Sequence, residues 1–352
     1  MIVTWFEKAR ILRDQSRFAQ AARLYRTLLK RKGLSILQAA EAHLGAADSD
    51  RLQGNFPASK ANYRKARKFF QAAGSPRTVD AEAGWALAAR ASGEPRLAVR
   101  LLRCCLAFYQ VDGDLEGEAF ARWALGGALR IAGDMREGWS QLQRALALYR
   151  RLGDSEGEGY THCALGGLAR MRGRWADCAV HYRAANKIHR RRHDPFGTAY
   201  SYCGLGNVQR MAGRWDGALR FFRKAEKLYK RIGDKVSYAY TLWSIGTAEK
   251  MKGNLKAARH SFATADKLFQ QTGDDRGRAY VFLGYAELDW LQFQDGEKSR
   301  HKALAFARGG GYAWEALHAK VMKGGKIAKD SRSHYAKAGS RFYPKGMPLN
   351  WP

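Results

Sequence analysis

Basic side chains recur along the chain at intervals of 38 to 40 residues. We call them the basic row: Arg13, Arg51, Arg90, Arg130, Arg170, Arg210 and Lys250. Guanidinium and ammonium groups form charge-assisted hydrogen bonds with carboxylates and phosphates, so a surface that carries several of them in line is a candidate anion-binding site. An arginine near the end of a helix is also favoured by the helix dipole whatever it binds, and that interpretation stays open.

A second set of side chains keeps the same interval and lies ten, seven and three residues before the position of the cation. The set contains Tyr160, Tyr200, Tyr240 and Tyr280, then Trp123 and Trp243, then Asn207. Steps of three and four residues keep side chains on one face of a helix, so this set would stand beside the basic row. We predict that both sets contact a partner, although a tyrosine at the start of a helix also packs against a preceding repeat.

Residues that could support catalysis or bind a metal are not arranged for it. The sequence contains no phosphate-binding loop, dinucleotide-binding turn, paired metal motif or nucleophile elbow. His189 and His193 are four residues apart, but the predicted helix ends between them, and the five cysteines lack the spacing of metal ligands. We therefore expect a protein that is not an enzyme and that uses no cofactor, metal or small-molecule substrate.

The elements that position these residues are visible as a repeat. From residue 113 to residue 312 the sequence aligns with itself without a gap in blocks of 40. Gly-Asp pairs open the blocks at residues 113, 153, 233 and 273, and His193-Asp194 stands at the same place in the remaining block. Because a glycine can end one helix and an aspartate can cap the next, each block predicts two helices, A and B, with a second glycine turn between them.

A glycine inside helix A also repeats, at Gly126, Gly166, Gly206 and Gly246. Such a glycine costs about 1 kcal/mol relative to alanine in an isolated helix. We therefore predict that the paired helix B approaches helix A closely at this point.

One helix pair cannot bury its apolar stripes alone, but a stack of pairs can. We predict an all-α fold, a right-handed superhelical solenoid of about seven or eight antiparallel helix pairs. The predicted units cover residues 1–32, 33–72, 73–112, 113–152, 153–192, 193–232, 233–272 and 273–312. Residues 313–352 are predicted to form a capping helix and a basic arm, which either wraps a polyanion or folds back on the last repeat with Trp351 as an anchor.

The repeat resembles a known family. Leu205-Gly206, Gly213, Trp215, Ala218 and Ala225 follow the order and spacing of the tetratricopeptide repeat (TPR), and the resemblance covers roughly residues 1–312. The 40-residue period is similar to that of the G-protein-signalling modulator adaptors and of kinesin light chains. The resemblance implies that the A helices line a concave groove that holds a peptide or a segment of another protein.

The adaptor variety commonly has an asparagine after Leu-Gly, which resembles a ladder that grips a peptide backbone. Asn207 matches this position in the present sequence. The aligned positions hold Gly127, Gly167 and Thr247 instead.

Charge indicates the chemistry of the partner. The chain has 62 Lys and Arg against 32 Asp and Glu, a formal net charge of +30, so an acidic partner is expected. Packed helices lie about 8–10 Å apart and an extended peptide advances about 3.3 Å per residue, so successive cations would meet roughly every third side chain. We predict a scaffold or adaptor that binds an acidic protein segment in its groove.

Two alternatives remain open at this point. The same groove could bind RNA or another nucleic acid, since bases stack on tyrosine and tryptophan. The protein could also be an assembly factor or subunit that docks on a larger acidic complex through its convex side. No stretch approaches the roughly 20 apolar residues of a membrane helix and charges appear early in the sequence, so we expect a cytoplasmic protein without a membrane partner.

Overall fold

The computed structural model describes residues 2–15, 17–323, 326–342, 344 and 346–351. These residues form helices joined by short turns and one short antiparallel hairpin. The elements are α1 (Ile2–Asp14), α2 (Phe18–Leu29), α3 (Ile36–Leu52), α4 (Phe56–Ala72), α5 (Thr78–Ala91), α6 (Pro95–Asp112), α7 (Leu115–Ala132), α8 (Met135–Leu152), α9 (Ser155–Met171), α10 (Trp175–Arg191), α11 (Pro195–Met211), α12 (Trp215–Ile232), α13 (Lys235–Met251), α14 (Leu255–Thr272), α15 (Asp275–Phe293), α16 (Glu297–Gly309), α17 (Ala313–Val321), β1 (Met322–Lys323), β2 (Lys326–Ile327) and α18 (Ser331–Lys337).

The helices pack in consecutive pairs. In the described part of the chain, α1 pairs with α2 and the pattern continues to α15 with α16, which gives eight pairs. The odd-numbered A helices also contact one another from repeat to repeat, as expected for an array whose A helices form the inner layer. The prediction of an all-α superhelical solenoid of about seven or eight pairs is confirmed. None of the described helices is both long and apolar enough to cross a membrane.

The links between repeats have the conformation that the sequence predicts. Gly113, Gly153, Gly233 and Gly273 have φ between 65° and 82°, the left-handed region that ends a helix. His193 adopts the same conformation with φ of 52°. The aspartate that follows each of these residues accepts a hydrogen bond from a backbone N–H in the first turn of the next helix. The same local device therefore separates all five repeats.

Close approach explains the glycine inside helix A. A Cβ atom on Gly206 would lie 2.4 Å from the ring of Phe222 in the paired helix, and one on Gly246 would lie 2.7 Å from Phe262. Both rings are completely buried. The predicted contact between helix A and helix B is confirmed.

Replacing Gly206 with alanine should therefore destabilise the protein. The expected loss is about 1–3 kcal/mol in the free energy of unfolding, because overpacking against Phe222 outweighs the better helix propensity of alanine. Urea denaturation followed by circular dichroism measures it. Gly309→Ala is the matched control, because a Cβ there meets nothing within 4 Å. An equal effect of the two substitutions would contradict the packing argument.

The solenoid curves until its early repeats contact its late ones. Ile131 of α7 packs in one buried cluster with Ala279 of α15, Ala307 of α16 and Tyr312. In the turn between α3 and α4, a Cβ on Gly54 would lie 2.9 Å from Cγ2 of Thr272. The array therefore closes on itself and encloses a central space.

The chain after the repeats folds back onto the array. An aromatic cluster joins α17 and α18 to the following residues, with ring centroids 5.3 Å apart for Trp314 and Tyr335 and 4.2 Å apart for His318 and Trp351. We call the described residues 340–342, 344 and 346–351 the C-terminal segment. It enters the groove at the end of α9, where Ser340 Oγ donates to the carbonyl oxygen of Met171.

Candidate functional site

The central space is a cavity of about 1250 Å³ lined mainly by the A helices. Most of the residues that the sequence singled out reach it. They are Arg13, Arg51, Arg90, Arg130, Arg170, Trp123, Tyr160, Tyr200, Asn207, Tyr240, Trp243 and Tyr280. Arg210 and Lys250 do not line the cavity.

Three cations in the middle of the basic row have no carboxylate partner among the described residues: Arg90, Arg130 and Arg170. The guanidinium of Arg90 lies 6.0 Å from the centre of the Trp123 ring, and Nη1 of Arg130 lies 3.7 Å from Sδ of Met171. Nε of Arg170 is buried without a hydrogen-bond partner. We call these three residues the arginine cluster.

Burial and mutual repulsion act on the arginine cluster. Burial first, and then neighbouring cations such as Arg130, lower the pKa of Arg90 to about 10. Burial and the charges of Arg276 and Arg170 lower the pKa of Arg130 in the same way. Cations that are desolvated and close to one another are stabilised by any anion that enters between them. The arginine cluster is therefore a local group of cations without carboxylate partners in a wall that also carries carboxylates, such as those of Asp114, Asp194 and Asp274.

The first two cations of the basic row already have internal partners. Nη1 of Arg13 lies 3.1 Å from a carboxylate oxygen of Asp48. Nε of Arg51 donates to the hydroxyl of Tyr63 over 3.2 Å, and that hydroxyl donates to Asp48 over 2.6 Å. Asp48 thus contacts Arg13 directly and Arg51 through Tyr63, so both cations have internal partners that the arginine cluster lacks.

The C-terminal segment occupies the last part of the basic row. Nη2 of Arg210 donates to the carbonyl oxygen of Trp351 over 2.7 Å, Nη1 of Arg210 bonds the side chain of Asn350, and Nζ of Lys250 donates to the carbonyl oxygen of Leu349 over 2.8 Å. Arg210 and Lys250 are at most 1% exposed. The sequence interpretation placed both on an open binding surface, but in this structure they hold the protein's own chain.

Asn207 has an internal partner as well. Its side-chain oxygen accepts hydrogen bonds from Nε and Nη2 of Arg210 at 3.2 and 3.1 Å. The residue that matches the asparagine ladder of the adaptors therefore orients Arg210 one helical turn away.

The tyrosines that recur every 40 residues link successive repeats. The hydroxyl of Tyr160 donates to Asp194 over 2.7 Å and that of Tyr240 to Asp274 over 3.4 Å. Both aspartates cap the A helix of the following repeat. Tyr280 is 6% exposed and its carbonyl oxygen accepts from Nε1 of Trp243 over 3.0 Å. These rings line the cavity while their polar atoms stabilise the stack.

Part of the repeat array also matches a protein-family model. Residues 160–231, which extend from α9 to α12, match the model described as tetratricopeptide repeat. The chain is a tetratricopeptide-repeat protein. No curated protein matches its sequence.

Solved structures show the same TPR architecture. A Rap protein complexed with Competence and Sporulation Factor superposes with a TM-score of 0.63 at 12% identity, over 96% of this chain and 99% of that one. The Rap conjugation gene regulator of the plasmid pLS20, in complex with the Phr* peptide, gives 0.64 at 11% identity over 92% and 97%. Aspartyl phosphate phosphatase F from Bacillus subtilis gives 0.53 at 11% identity over 98% and 97%. At these identities the likeness concerns the fold.

Glu287 is a buried residue of the TPR groove that the sequence interpretation missed. Its carboxylate lies 2.6 Å from Nζ of Lys250 and accepts hydrogen bonds from N of Leu349 and Nε1 of Trp351 at 2.6 and 2.7 Å. Burial raises the pKa of Glu287 and lowers that of Lys250, and their mutual attraction opposes both shifts. Glu287 stands 40 residues after Thr247. The earlier aligned blocks have a small or neutral residue at this position, so the carboxylate was the sequence signal that could have identified Glu287.

A second ion pair was missed at the last repeats. Nη2 of Arg276 lies 2.7 Å from Oε1 of Glu315, whose side chain is fully buried. Arg276 also lines the cavity. No period marks this pair, because Glu315 lies in α17, beyond the aligned blocks.

Cys163, His189 and Asp194 are in contact with one another in the TPR array, like the members of a catalytic triad. Sγ of Cys163 lies 4.0 Å from Nε2 of His189, and Nδ1 of His189 lies 3.0 Å from Asp194. Cys163 and His189 are both completely buried, and burial raises the pKa of the thiol. A buried thiol of raised pKa is a poor nucleophile, so these contacts serve packing. The described residues contain no group of three metal ligands.

Proposed function

We propose that this TPR protein is a non-enzymatic scaffold whose central cavity binds an acidic, extended segment of a partner protein. The observation that carries the proposal is the arginine cluster, since Arg90, Arg130 and Arg170 face the cavity without carboxylate partners in the described chain. Arginine pairs with carboxylates through two parallel hydrogen bonds. A partner with acidic side chains at every third position would place one at each arginine.

The C-terminal segment supports an extended peptide as the ligand. Arg210 and Lys250, the next two cations of the basic row, bind backbone carbonyl oxygens of Trp351 and Leu349. The groove of this protein therefore holds a peptide backbone, that of residues 349–351, directly beside the cavity. Two of the similar structures are complexes, one with Competence and Sporulation Factor and one with the Phr* peptide, which agrees with a groove that holds a peptide.

The size of the cavity also favours a protein segment. Small-molecule sites occupy about 300–1,000 Å³, whereas this cavity has about 1250 Å³. Beside the arginine cluster its wall contains aromatic rings such as Trp123 and Tyr200, together with carboxylates such as those of Asp114 and Asp194. Such a wall binds acidic side chains and the apolar side chains between them.

Neutralising the arginine cluster should abolish this binding without unfolding the protein. The variant is the triple substitution Arg90→Gln, Arg130→Gln and Arg170→Gln. We expect its affinity for a fluorescent decapeptide with glutamate at every third position to fall by at least about 100-fold, because each charge-assisted hydrogen bond contributes roughly 1.5–3 kcal/mol. Fluorescence anisotropy measures the affinity. The Tm of the triple variant should be at least that of the parent protein, because the substitutions relieve the repulsion within the arginine cluster.

A control with the same change in net charge is available on the outside of the array. Arg220→Gln, Arg223→Gln and Lys227→Gln alter three exposed cations of α12 and should leave peptide affinity within about threefold. A decapeptide with glutamine in place of glutamate should bind weakly to every variant. Equal affinity of the parent for the two peptides, or equal losses in the two triple variants, would refute the proposed function.

A further inference from the structure

The outer faces of two successive B helices carry a dense set of cations that the groove does not use. We call this set the outer basic face. All nine of its members are exposed: Arg183, Lys187, Arg190 and Arg191 on α10, and Arg220, Arg223, Lys224, Lys227 and Arg231 on α12. Within the described chain none of the nine lies within ion-pair distance of a carboxylate.

The spacing of these cations places each set on one side of its helix. On α12 they follow one another at steps of three, one, three and four residues, while Phe222, Ala225 and Tyr229 on the other side are buried. On α10 the buried side contains Tyr182 and Ala185. Because α11 packs against both helices, the two stripes belong to consecutive repeats of the same outer wall.

The acidic residues of this wall are engaged elsewhere. Asp177 pairs with Arg174, Glu226 lies 2.8 Å from Nζ of Lys230, and Asp216 lies 2.6 Å from Nζ of Lys252. The cations of the outer basic face therefore keep their full charge toward solvent. Like charges this close repel one another, and a polyanion laid across them removes that repulsion.

The α12 half of the outer basic face fits a phosphate backbone better than an acidic protein. Protein interfaces depend on apolar or aromatic anchors. The α10 helix exposes Trp175 and Val180, whereas α12 exposes no large apolar side chain. Its five cations extend over about 16 Å of helix. A nucleic-acid duplex presents one negative charge for about every 1.7 Å of its axis and needs no anchor. Long lysine and arginine side chains can reach such a backbone from a convex surface.

We propose that the outer basic face binds the phosphate backbone of a nucleic-acid duplex without sequence specificity. This surface is separate from the cavity, so the protein can hold an acidic protein segment and a duplex at the same time. The nucleic-acid interaction thereby belongs to the outer wall, whereas the groove keeps its peptide function.

The test is the binding of a fluorescein-labelled 20-base-pair DNA duplex of random sequence, measured by anisotropy between 50 and 300 mM salt. The variant combines Arg220→Glu, Arg223→Glu and Lys227→Glu. We expect its affinity for the duplex at 100 mM salt to be lower than that of the parent by roughly 30-fold or more. The slope of log K against log salt should become shallower by about 3, because three phosphate contacts are lost.

A matched triple variant separates this surface from overall charge. Lys8→Glu, Arg23→Glu and Lys30→Glu reverse three exposed cations of the first repeat and should change duplex affinity by less than about threefold. The arginine-cluster variant should also bind the duplex like the parent. The proposal is overturned if the parent does not bind the duplex at 50 mM salt, if the two triple reversals weaken binding equally, or if polyglutamate of equal charge competes as well as unlabelled duplex.

Discussion

Replacing Glu287 with alanine is expected to lower the free energy of unfolding by about 3–5 kcal/mol, because the change leaves the ammonium group of Lys250 buried without a carboxylate to balance its charge. Glu287 and Lys250 are 2.6 Å apart and at most 1% exposed. The same substitution removes the acceptor for N of Leu349 and Nε1 of Trp351. Urea denaturation monitored by circular dichroism gives the free energy.

An exposed ion pair provides the comparison. Glu226→Ala removes the ion-pair partner of Lys230, an exposed residue of α12. This change should lower the free energy of unfolding by less than about 1 kcal/mol. If Glu287→Ala cost no more than Glu226→Ala, Glu287 would not neutralise a buried charge.

Replacing Trp351 with alanine should lower the free energy of unfolding by a similar amount, for a different reason. The indole is 1% exposed and packs against His318 in the aromatic cluster. Its removal leaves a cavity, and truncation of a buried tryptophan costs about 3–5 kcal/mol. We also expect residues 340–351 to become accessible to limited proteolysis, because the indole of Trp351 anchors the C-terminal segment to Glu287.

The control for this substitution is Trp175→Ala. Trp175 is 37% exposed, so its loss should cost much less than that of Trp351. The two substitutions remove the same chemical group, and they differ in burial. Equal destabilisation, or unchanged proteolysis in Trp351→Ala, would show that the C-terminal segment is not held by its tryptophan.

The repeat architecture was predictable because its determinants are local. Gly113 and Asp114 end one helix and begin the next through contacts within a few residues, and Gly206 reveals a neighbour in the same repeat. Such signals recur with the period, so each copy confirms the others. The A helices as the wall of the cavity follow from the same regularity.

The contents of the groove were not predictable in this way. The segment that contacts Arg210 lies 140 residues further along the chain, and it has no period that could align it with the groove. The basic row looked uniform in sequence, yet the structure divides it into cations linked to Asp48, the arginine cluster and cations covered by the C-terminal segment. Tertiary contacts, rather than residue type, decide which cations are free to bind a partner.

The contact between early and late repeats changes how this solenoid should unfold. In an open array each repeat touches only its neighbours, and stability is nearly a sum of terms along one dimension, so the ends can fray independently. Here Ile131 packs with Ala279 and Tyr312, and the turn at Gly54 contacts Thr272. Unfolding of the second or fourth pair, which contain Gly54 and Ile131, or of the last two pairs would break contacts with repeats far away in sequence. Hydrogen exchange should therefore be slow and similar in the first and last pairs that share these contacts, as in a globular cooperative unit.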